Sequence, residues 1–254
     1  MLAGGRYAQI QDSRIVPELP STRLSGPGNP GKDQLEFLDR FKDGEQWVEK
    51  GGSVLEQGQR HPNLFTLLDG IVIRLRKMDD GRRQIVNIMF PGDLVGLQSA
   101  FDDESSHSVE ALVDARLCVF SRNRFIELIG SRPRLGYDII YMAAKQETEL
   151  EEHLVSLGQR NARERVASLA VWLIERATAT GMTADGNSMN LPLKQAQIAD
   201  MLGLSLVHTN RTIKSLERHG LVKWQPGRVS VPDLDKAAEF AEYDRQKSVS
   251  RPYL

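Results

Sequence analysis

Hydrophobic positions are arranged differently in the two halves of the chain, and the change predicts two kinds of structure. Residues 45–120 contain short apolar runs separated by glycine, including LFTLL, IVIRLRKM, RQIVNIMF, SVEALV and RLCVF. Runs of this length between turn residues predict β-strands, and several of them at short spacing predict a barrel or roll. Asp69-Gly70 and Asp80-Gly81 fall between such runs, where an Asp-Gly pair predicts a hairpin turn.

Helical spacing appears on either side of this β-rich segment. The apolar residues of Lys32–Phe41 recur every three positions, and residues 122–130 return to a helical pattern. After Pro133 the spacing of three and four predicts a long helix over residues 133–160 with a coiled-coil-like seam. This seam favours a dimer, although packing within one chain would produce the same pattern. Its members are Ile140, Ala143, Glu147, Leu150, Leu154 and Leu157.

The C-terminal part of the chain predicts a helix-turn-helix. Asn161 and Glu164 stand three residues apart at the start of an apolar-periodic segment, as in a capping box. Further along, Ala199 is small where two helices would cross closely, and Gly203 can adopt the positive φ that a turn between them needs. Ser205 can then cap the second helix. We therefore expect the second helix to be held at a fixed angle to the first.

This second helix carries polar groups suited to reading DNA. An α-helix fits the major groove, and an arginine can donate two hydrogen bonds to guanine O6 and N7. We expect Arg211 to make this contact. Two strands around a Gln-Pro-Gly turn form a predicted wing, whose Lys223 and Arg228 would contact phosphate. The expected DNA contacts are Gln195, Ser205, Val207, His208, Thr209, Asn210, Arg211, Lys214, Lys223 and Arg228.

Composition adds two constraints. The chain of 254 residues has a net charge of −1, but residues 161–231 carry nine basic and five acidic side chains, a local charge of +4. A basic segment of this kind favours a polyanionic partner. Cys118 is the single cysteine, which excludes an intrachain disulfide and a cysteine-ligated iron–sulfur cluster within one chain. We interpret it as a small buried hydrophobe.

Several other classes of protein are not favoured. No stretch approaches the roughly 18 apolar residues of a membrane span, and the N-terminus lacks the apolar core of a secretory signal. We expect a cytoplasmic protein without membrane contact. Residues 1–31 are rich in Gly, Pro and Ser and predict a disordered tail. The sequence contains no GxSxG, P-loop, HExxH or CxxC motif, so we do not expect an enzyme.

Two segments carry a resemblance to a known family. They are LLDGIVIRLRKMDDGRRQIVNIMFPGDLVG (residues 67–96) and LKQAQIADMLGLSLVHTNRTIKSLERHGLV (residues 193–222). In sequence and order they resemble the Crp/Fnr superfamily of bacterial transcription factors, named after the cyclic-AMP receptor protein and the fumarate-nitrate regulator. The resemblance implies a homodimer that binds a palindromic site with half-sites about 34 Å apart and contacts RNA polymerase.

The resemblance also implies a fold of the α+β class. A cyclic-nucleotide-binding-like β-roll is expected over residues 32–132, followed by a dimerisation helix over residues 133–160. A winged helix-turn-helix would occupy residues 161–233, and a C-terminal extension residues 234–254.

Single residues depart from the family pattern. Arg211 matches the arginine that reads the half-site. Val207 stands where the family has a glutamate, and valine cannot accept a hydrogen bond from cytosine. His208 and Asn210 flank these positions and could compensate. We therefore expect the half-site to differ from the usual one.

The roll departs from the family pattern as well. Members that bind cyclic nucleotides use a Gly-Glu pair and a later Arg-Ser pair, which here read Gly96-Leu97 and His107-Ser108. A cyclic phosphate would lack a charge partner and the ribose an acceptor, so we do not expect cyclic AMP, and no cofactor is predicted. A haem ligand could come from His61, His107 or His153, but lone histidines are usually structural. Gly96, Leu97, His107 and Ser108 form the candidate pocket for an unidentified small-molecule effector.

One other function stays open. A small-molecule sensor whose helical domain docks on a protein partner would have a similar sequence pattern. Such a protein would show no salt-dependent DNA binding. The local charge of +4 and the predicted wing favour DNA.

Overall fold

The structure, a computed structural model, describes residues 10–11, 32–100, 104–183 and 185–245. Within these ranges the chain forms two compact units. The first unit contains residues 10–11, 32–82 and 87–146, and the second contains residues 83–86 and 147–245, apart from the gaps just given. Most of the predicted tail lies outside the described residues. Ile10–Gln11, which fall in that tail, form a short strand and are therefore paired.

Two antiparallel sheets form the β-rich part of the chain, as the glycine-separated apolar runs predicted; they lie in the first unit apart from residues 83–86, which begin one strand. One sheet has the order β1-β2-β9-β4-β7 and the other β3-β8-β5-β6. The strands are β1 (Ile10–Gln11), β2 (Gly44–Val48), β3 (Ser53–Leu55), β4 (Asn63–Asp69), β5 (Val72–Lys77), β6 (Arg83–Met89), β7 (Leu94–Val95), β8 (Ser108–Ala111) and β9 (Ala115–Ser121). The short strands β3 and β7 were not predicted, because two or three residues carry no periodicity.

The apolar side chains of both sheets meet in one core. Phe65 and Leu117 are fully buried there, and residues of β3, β5 and β8 pack against them. Burying such side chains is the main favourable contribution to folding. Cys118 is also buried, and burial raises the pKa of its thiol to about 12. This agrees with its interpretation as a small hydrophobe, because a protonated thiol is a poor nucleophile.

The two Asp-Gly pairs have different roles. Asp80-Gly81 forms the predicted hairpin turn between β5 and β6, where Met78 N–H donates to the Arg82 carbonyl at 2.7 Å. The hairpin predicted at Asp69-Gly70 is wrong. Its flanking strands, β4 and β5, belong to different sheets, so this turn carries the chain from one sheet to the other.

Helices precede and follow the strands along the chain at the predicted places. α1 spans Lys32–Phe41, and a single 3-10 turn at Arg122–Arg124 leads into α2 (Phe125–Ser131). The long helix α3 spans Pro133–Gln159, beginning in the first unit and ending in the second.

The second unit is mainly helical. It contains α4 (Ala162–Ala179), α5 (Gln195–Leu202), α6 (Leu206–Arg218) and α7 (Leu234–Phe240). The capping box at the start of α4 is confirmed: Asn161 accepts from the Glu164 N–H, and the Glu164 carboxylate accepts from the Asn161 N–H at 2.8 Å. This cap explains why α4 begins at Ala162, directly after the end of α3.

Two features of this unit were not predicted. Residues 188–190 lie in none of the predicted elements and form the strand β10 (Ser188–Asn190). It joins β11 (Lys223–Gln225) and β12 (Arg228–Ser230) in a sheet of order β10-β12-β11. The segment expected as a C-terminal extension contains α7, whose first turn is capped by the Asp233 carboxylate. The predicted wing, β11 and β12, is therefore part of a three-stranded sheet in which β12 is the central strand.

Candidate nucleic-acid interface

The turn between α5 and α6 has the predicted geometry. Gly203 ends α5 in the left-handed region at φ 63°. Ser205 then caps α6, its hydroxyl oxygen accepting from the His208 N–H at 3.2 Å. A left-handed residue followed by an N-cap fixes the angle between the helices. As a result, α6 is positioned by backbone geometry as well as by its buried face.

α6 has one buried and one exposed face. The buried face carries Thr209, Thr212, Ile213 and Leu216. Val207, Arg211, Lys214 and Arg218 are exposed and follow one another at helical spacings of four, three and four residues. These four residues are here called the exposed line. Since 3.6 residues make one turn, they project in nearly the same direction, away from the buried face.

One predicted DNA contact is wrong. Thr209 has 0% exposed surface, and its hydroxyl donates to the Ser205 carbonyl at 3.0 Å. The hydroxyl is thus hydrogen-bonded inside the helix, so burying it costs little free energy. Arg218, which the sequence did not single out, lies on the exposed line instead. Its distance of seven residues from Arg211 is the signal that could have identified it.

Asn210 and Gln195 are brought together although they are 15 residues apart. The Asn210 side-chain amide donates to the Gln195 side-chain oxygen at 2.9 Å. This bond joins the first residue of α5 to the second turn of α6. Asn210 therefore uses a donor group within the protein and keeps its own amide oxygen as an acceptor for another group.

The two basic residues of the wing differ in their surroundings. Lys223 is exposed on β11. Arg228 donates to the Ser188 hydroxyl at 2.5 Å and lies 3.8 Å from the Asp185 carboxylate. Hydrogen bonds from Ser188 and from the Asn187 backbone lower the pKa of the exposed Asp185 carboxyl. Because this acidic neighbour offsets the positive charge of Arg228, Lys223 has more of its charge available for a phosphate.

The seam on α3 is partly exposed. Ile140 and Leu154 expose 67% and 69% of their surface, and Glu147 is also exposed. Ala143 and Leu150 are half-buried. Leu157, at the end of the seam, is half-buried too, and its side chain lies 4.0 Å from where a Cβ of residue 203 would be. Leu157 thus faces the α5–α6 turn of its own chain, while Ile140 and Leu154 leave an apolar surface open.

In the roll, the candidate effector residues lie in unlike surroundings. Leu97, following Gly96, packs against the apolar cluster around Phe41. Ser108 is buried, and its hydroxyl oxygen accepts from the Gln57 N–H at 3.1 Å. His107 is also buried, and burial together with the charges of Arg74 and Arg76 lowers its pKa to about 4.

Two of these positions differ in chemistry from the glutamate and arginine that the resemblance leads one to expect. Leu97 offers no acceptor for a ribose hydroxyl, and a neutral His107 offers no positive charge to a phosphate. Sequence reasoning missed Arg74, a buried cation on β5 that exposes 7% of its surface. Burial lowers the pKa of its guanidinium, and the charge of Asp93 raises it.

The three histidines considered as haem ligands each pack within the protein. The ring of His61 lies 5.2 Å from that of Phe65, and the ring of His153 meets Trp172 edge-on at 4.8 Å. Burial lowers the pKa of His61 and takes that of His153 to about 4. Each of these two rings therefore makes an aromatic contact within its own unit.

His107 makes stability depend on pH. Its pKa of about 4 in the folded chain lies below the value of 6.5 for an unperturbed histidine. Between pH 6.5 and 4 the unfolded chain therefore binds a proton at His107 that the folded chain does not. The free energy of unfolding decreases as the pH falls through this window. His107→Gln removes the titrating group. We expect the free energy of unfolding to fall about 2 kcal/mol less in the variant than in the unaltered protein between pH 7 and 5.

Urea unfolding at the two pH values measures this difference. All other residues are the same in both proteins, so the comparison isolates the contribution of His107. Identical pH dependence of the two proteins would contradict the assignment.

Every helix in the described part of the chain is too short or too polar to span a membrane.

Comparison with known proteins links both units to transcriptional regulators. Residues 45–132 match the family described as cyclic nucleotide-binding domain, and residues 164–239 match the Crp-like helix-turn-helix domain. A probable transcriptional activator of Rhizobium leguminosarum bv. viciae is 33% identical over 82% of this chain and 85% of its own length. The nitrogen fixation regulation protein FixK of Bradyrhizobium diazoefficiens is 31% identical over 75% of this chain and 79% of its own.

Solved structures agree with the fold. FixK2 from Bradyrhizobium japonicum superposes with a TM-score of 0.67 at 22% identity, covering 77% of this chain and 95% of its own. A CRP/FNR-family transcriptional regulator from Thermus thermophilus gives a TM-score of 0.63 at 20% identity, covering 78% of this chain and 98% of its own. At these sequence identities, the structural similarity shows a shared fold.

Proposed function

This chain belongs to the Crp/Fnr family of DNA-binding transcriptional regulators, and we propose that it recognises a palindromic DNA site as a homodimer, with Arg211 reading a guanine. The observation that carries the proposal is the exposed line of α6. Arg211 projects from it beside Lys214 and Arg218, on the side of the helix opposite the buried residues. A helix held in this way can enter the major groove with three positive charges facing the DNA.

Arg211 is the base-reading member of this line. A guanidinium can donate to O6 and N7 of one guanine, and such a contact discriminates against other bases by about 1–3 kcal/mol. Lys214 and Arg218 follow one and two turns later along the helix. They are placed to contact phosphates, which add affinity without sequence information. His208 and the free amide oxygen of Asn210 are further candidates for base contacts.

The apolar surface of α3 supports the proposed dimer. Ile140 and Leu154 are large apolar side chains that stay mostly exposed in the single chain. A second copy of α3 packed against them would remove this surface from water. Two copies related by a two-fold axis would present two α6 helices to half-sites about 34 Å apart.

The experiment has two parts. Selection of duplexes from a random pool by the full chain should enrich a palindrome, and its affinity should fall steeply with salt. Sedimentation equilibrium at micromolar concentration should give the mass of a dimer. A pool that stays random, or salt-independent binding, would favour a sensor that docks on protein. A monomer with and without the selected DNA would contradict the dimer.

Lys223 provides a test of the wing. Lys223→Ala should weaken binding to the selected palindrome and to a scrambled duplex by the same factor. The slope of log K against log salt should become shallower by about 0.9 for each phosphate that the variant no longer neutralises. Lys236→Ala on α7 removes the same charge outside the elements assigned to DNA and should leave both values unchanged. A weakening confined to one base pair would contradict a phosphate contact.

The role that we propose for the roll is a signal input. Its residues Leu97 and His107 support an effector other than a cyclic nucleotide, and no bound metal or cofactor forms part of the proposal. We also propose a contact with RNA polymerase, because the relatives that this chain resembles include transcriptional activators.

A further inference from the structure

Val207 is the apolar member of the exposed line on α6. Its side chain is 61% exposed, and it lies on the same side of the helix as Arg211, Lys214 and Arg218. The buried residues of α6 lie on the opposite side, so Val207 does not contribute to the core of its unit. Val207 thus lies among three cations in the first turn of the helix that we propose to face DNA. Since it does not pack in the described core of its unit, its apolar side chain is available for a contact outside the chain.

We infer that Val207 contacts the 5-methyl group of a thymine in the major groove and so selects a T·A base pair beside the guanine read by Arg211. The inference rests on the proposed function and extends it to a second base pair of the half-site. The thymine methyl is the apolar group that a base pair presents in the major groove, and small apolar side chains recognise it.

The same contact disfavours the other bases. Valine has no donor or acceptor in its side chain, so a cytosine amino group placed against it would lose water without gaining a hydrogen bond. A purine at that position would likewise leave an acceptor unpaired. Val207 thus discriminates both by contact with the methyl group and by leaving polar base edges unsatisfied.

The spacing places this thymine near the guanine. Val207 and Arg211 are four residues apart, which corresponds to about 6 Å along the helix axis. Successive base pairs are about 3.4 Å apart, so the two residues reach base pairs that are neighbours or separated by one other.

Leu206 serves as a matched control. It is also apolar and 53% exposed. Adjacent residues of an α-helix project about 100° apart, so Leu206 lies off the exposed line. If exposure alone produced the effect, the two residues would behave alike.

The probe is the selected palindrome in which each thymine of the half-site is replaced in turn by deoxyuridine, which lacks only the methyl group. Dissociation constants are measured by fluorescence anisotropy at fixed salt for the unaltered chain, Val207→Ala and Leu206→Ala. At one thymine position, deoxyuridine should weaken binding by the unaltered chain about fourfold per half-site, the factor for burying one methyl group. Leu206→Ala should keep this sensitivity, and Val207→Ala should lose it.

A second substitution tests whether the loss of sensitivity to deoxyuridine is due to the missing methyl groups. Val207→Thr retains one methyl group and should keep part of the sensitivity to deoxyuridine. The inference is overturned if Val207→Ala and the unaltered chain respond equally to deoxyuridine at every position. It is also overturned if Leu206→Ala, rather than Val207→Ala, loses the response. Selected and scrambled duplexes binding equally to the unaltered chain would overturn the proposed function, and the inference with it.

Discussion

Gly70→Ala is expected to destabilise the first unit by about 3 kcal/mol or more. Gly70 has φ 91°, a conformation that side chains with a Cβ adopt at a cost. It also lies where the chain passes from one sheet to the other. A Cβ there would overlap the carbonyl oxygen of Asp114 and lie 2.8 Å from the Cα of Ala115. Because both neighbours are backbone atoms, rotation of a side chain cannot relieve the clash.

Gly81→Ala is the matched control. Gly81 has φ 85°, but nothing lies within 4 Å of where its Cβ would be. It should therefore show the conformational cost alone, about 1 kcal/mol. Urea unfolding followed by circular dichroism measures both variants against the unaltered chain. Equal destabilisation of the two variants would show that the close approach at Asp114 contributes nothing.

Arg211→Ala is expected to weaken binding to the selected palindrome by at least about tenfold while leaving the fold intact. The side chain is exposed, so its removal creates no cavity. The expected loss follows from the roughly 1–3 kcal/mol of a bidentate arginine–guanine contact, and a dimer loses two such contacts. Competition titrations with the palindrome and with a scrambled duplex, at the same salt concentration, measure it.

Arg218→Ala provides the comparison for this substitution. It removes the same charge from the same exposed line, two turns along the helix. If Arg218 contacts phosphate, its removal weakens both duplexes by the same factor, whereas Arg211→Ala weakens mainly the palindrome. If Arg211→Ala changed the affinity for the palindrome by less than twofold, the assignment of Arg211 as a base reader would be wrong.

Local signals predicted much of the second unit. The capping box at Asn161, the left-handed Gly203 and the cap at Ser205 each depend on residues within a few positions of one another. Such signals can be read from sequence, because the atoms that form the bond are set by the local backbone. The matches to the two domain families confirm the resemblance of the chain to the Crp/Fnr superfamily.

Contacts between distant segments could not be predicted in this way. β10 has three residues and no apolar run, and it forms because β12 offers it a partner about 40 residues further along the chain. The bond between Asn210 and Gln195 likewise joins residues from two helices. The turn at Gly70 resembled a hairpin because an Asp-Gly pair gives no information on which sheet the next strand joins. Thr209 looked like a contact because polarity suggests exposure, but its hydroxyl is satisfied within α6.

The dimer and the DNA contacts are predictions that rest on the exposed surfaces of α3 and α6. Ile140 and Leu154 leave apolar area open on α3, and α6 carries three exposed cations in line. Among the residues that the structure describes, no packing partner covers either surface.

Methylation interference tests the central claim, that Arg211 reads a guanine, most directly. Dimethyl sulfate methylates N7 of guanine, one of the two atoms that the guanidinium would contact in the major groove. Copies of the selected palindrome are lightly methylated, and bound and free fractions are compared for the unaltered chain and for Arg211→Ala. We predict one guanine in each half-site whose methylation blocks binding by the unaltered chain and has no effect on the remaining affinity of Arg211→Ala. Interference at the same guanines in both proteins, or at none in either half-site, would contradict the account.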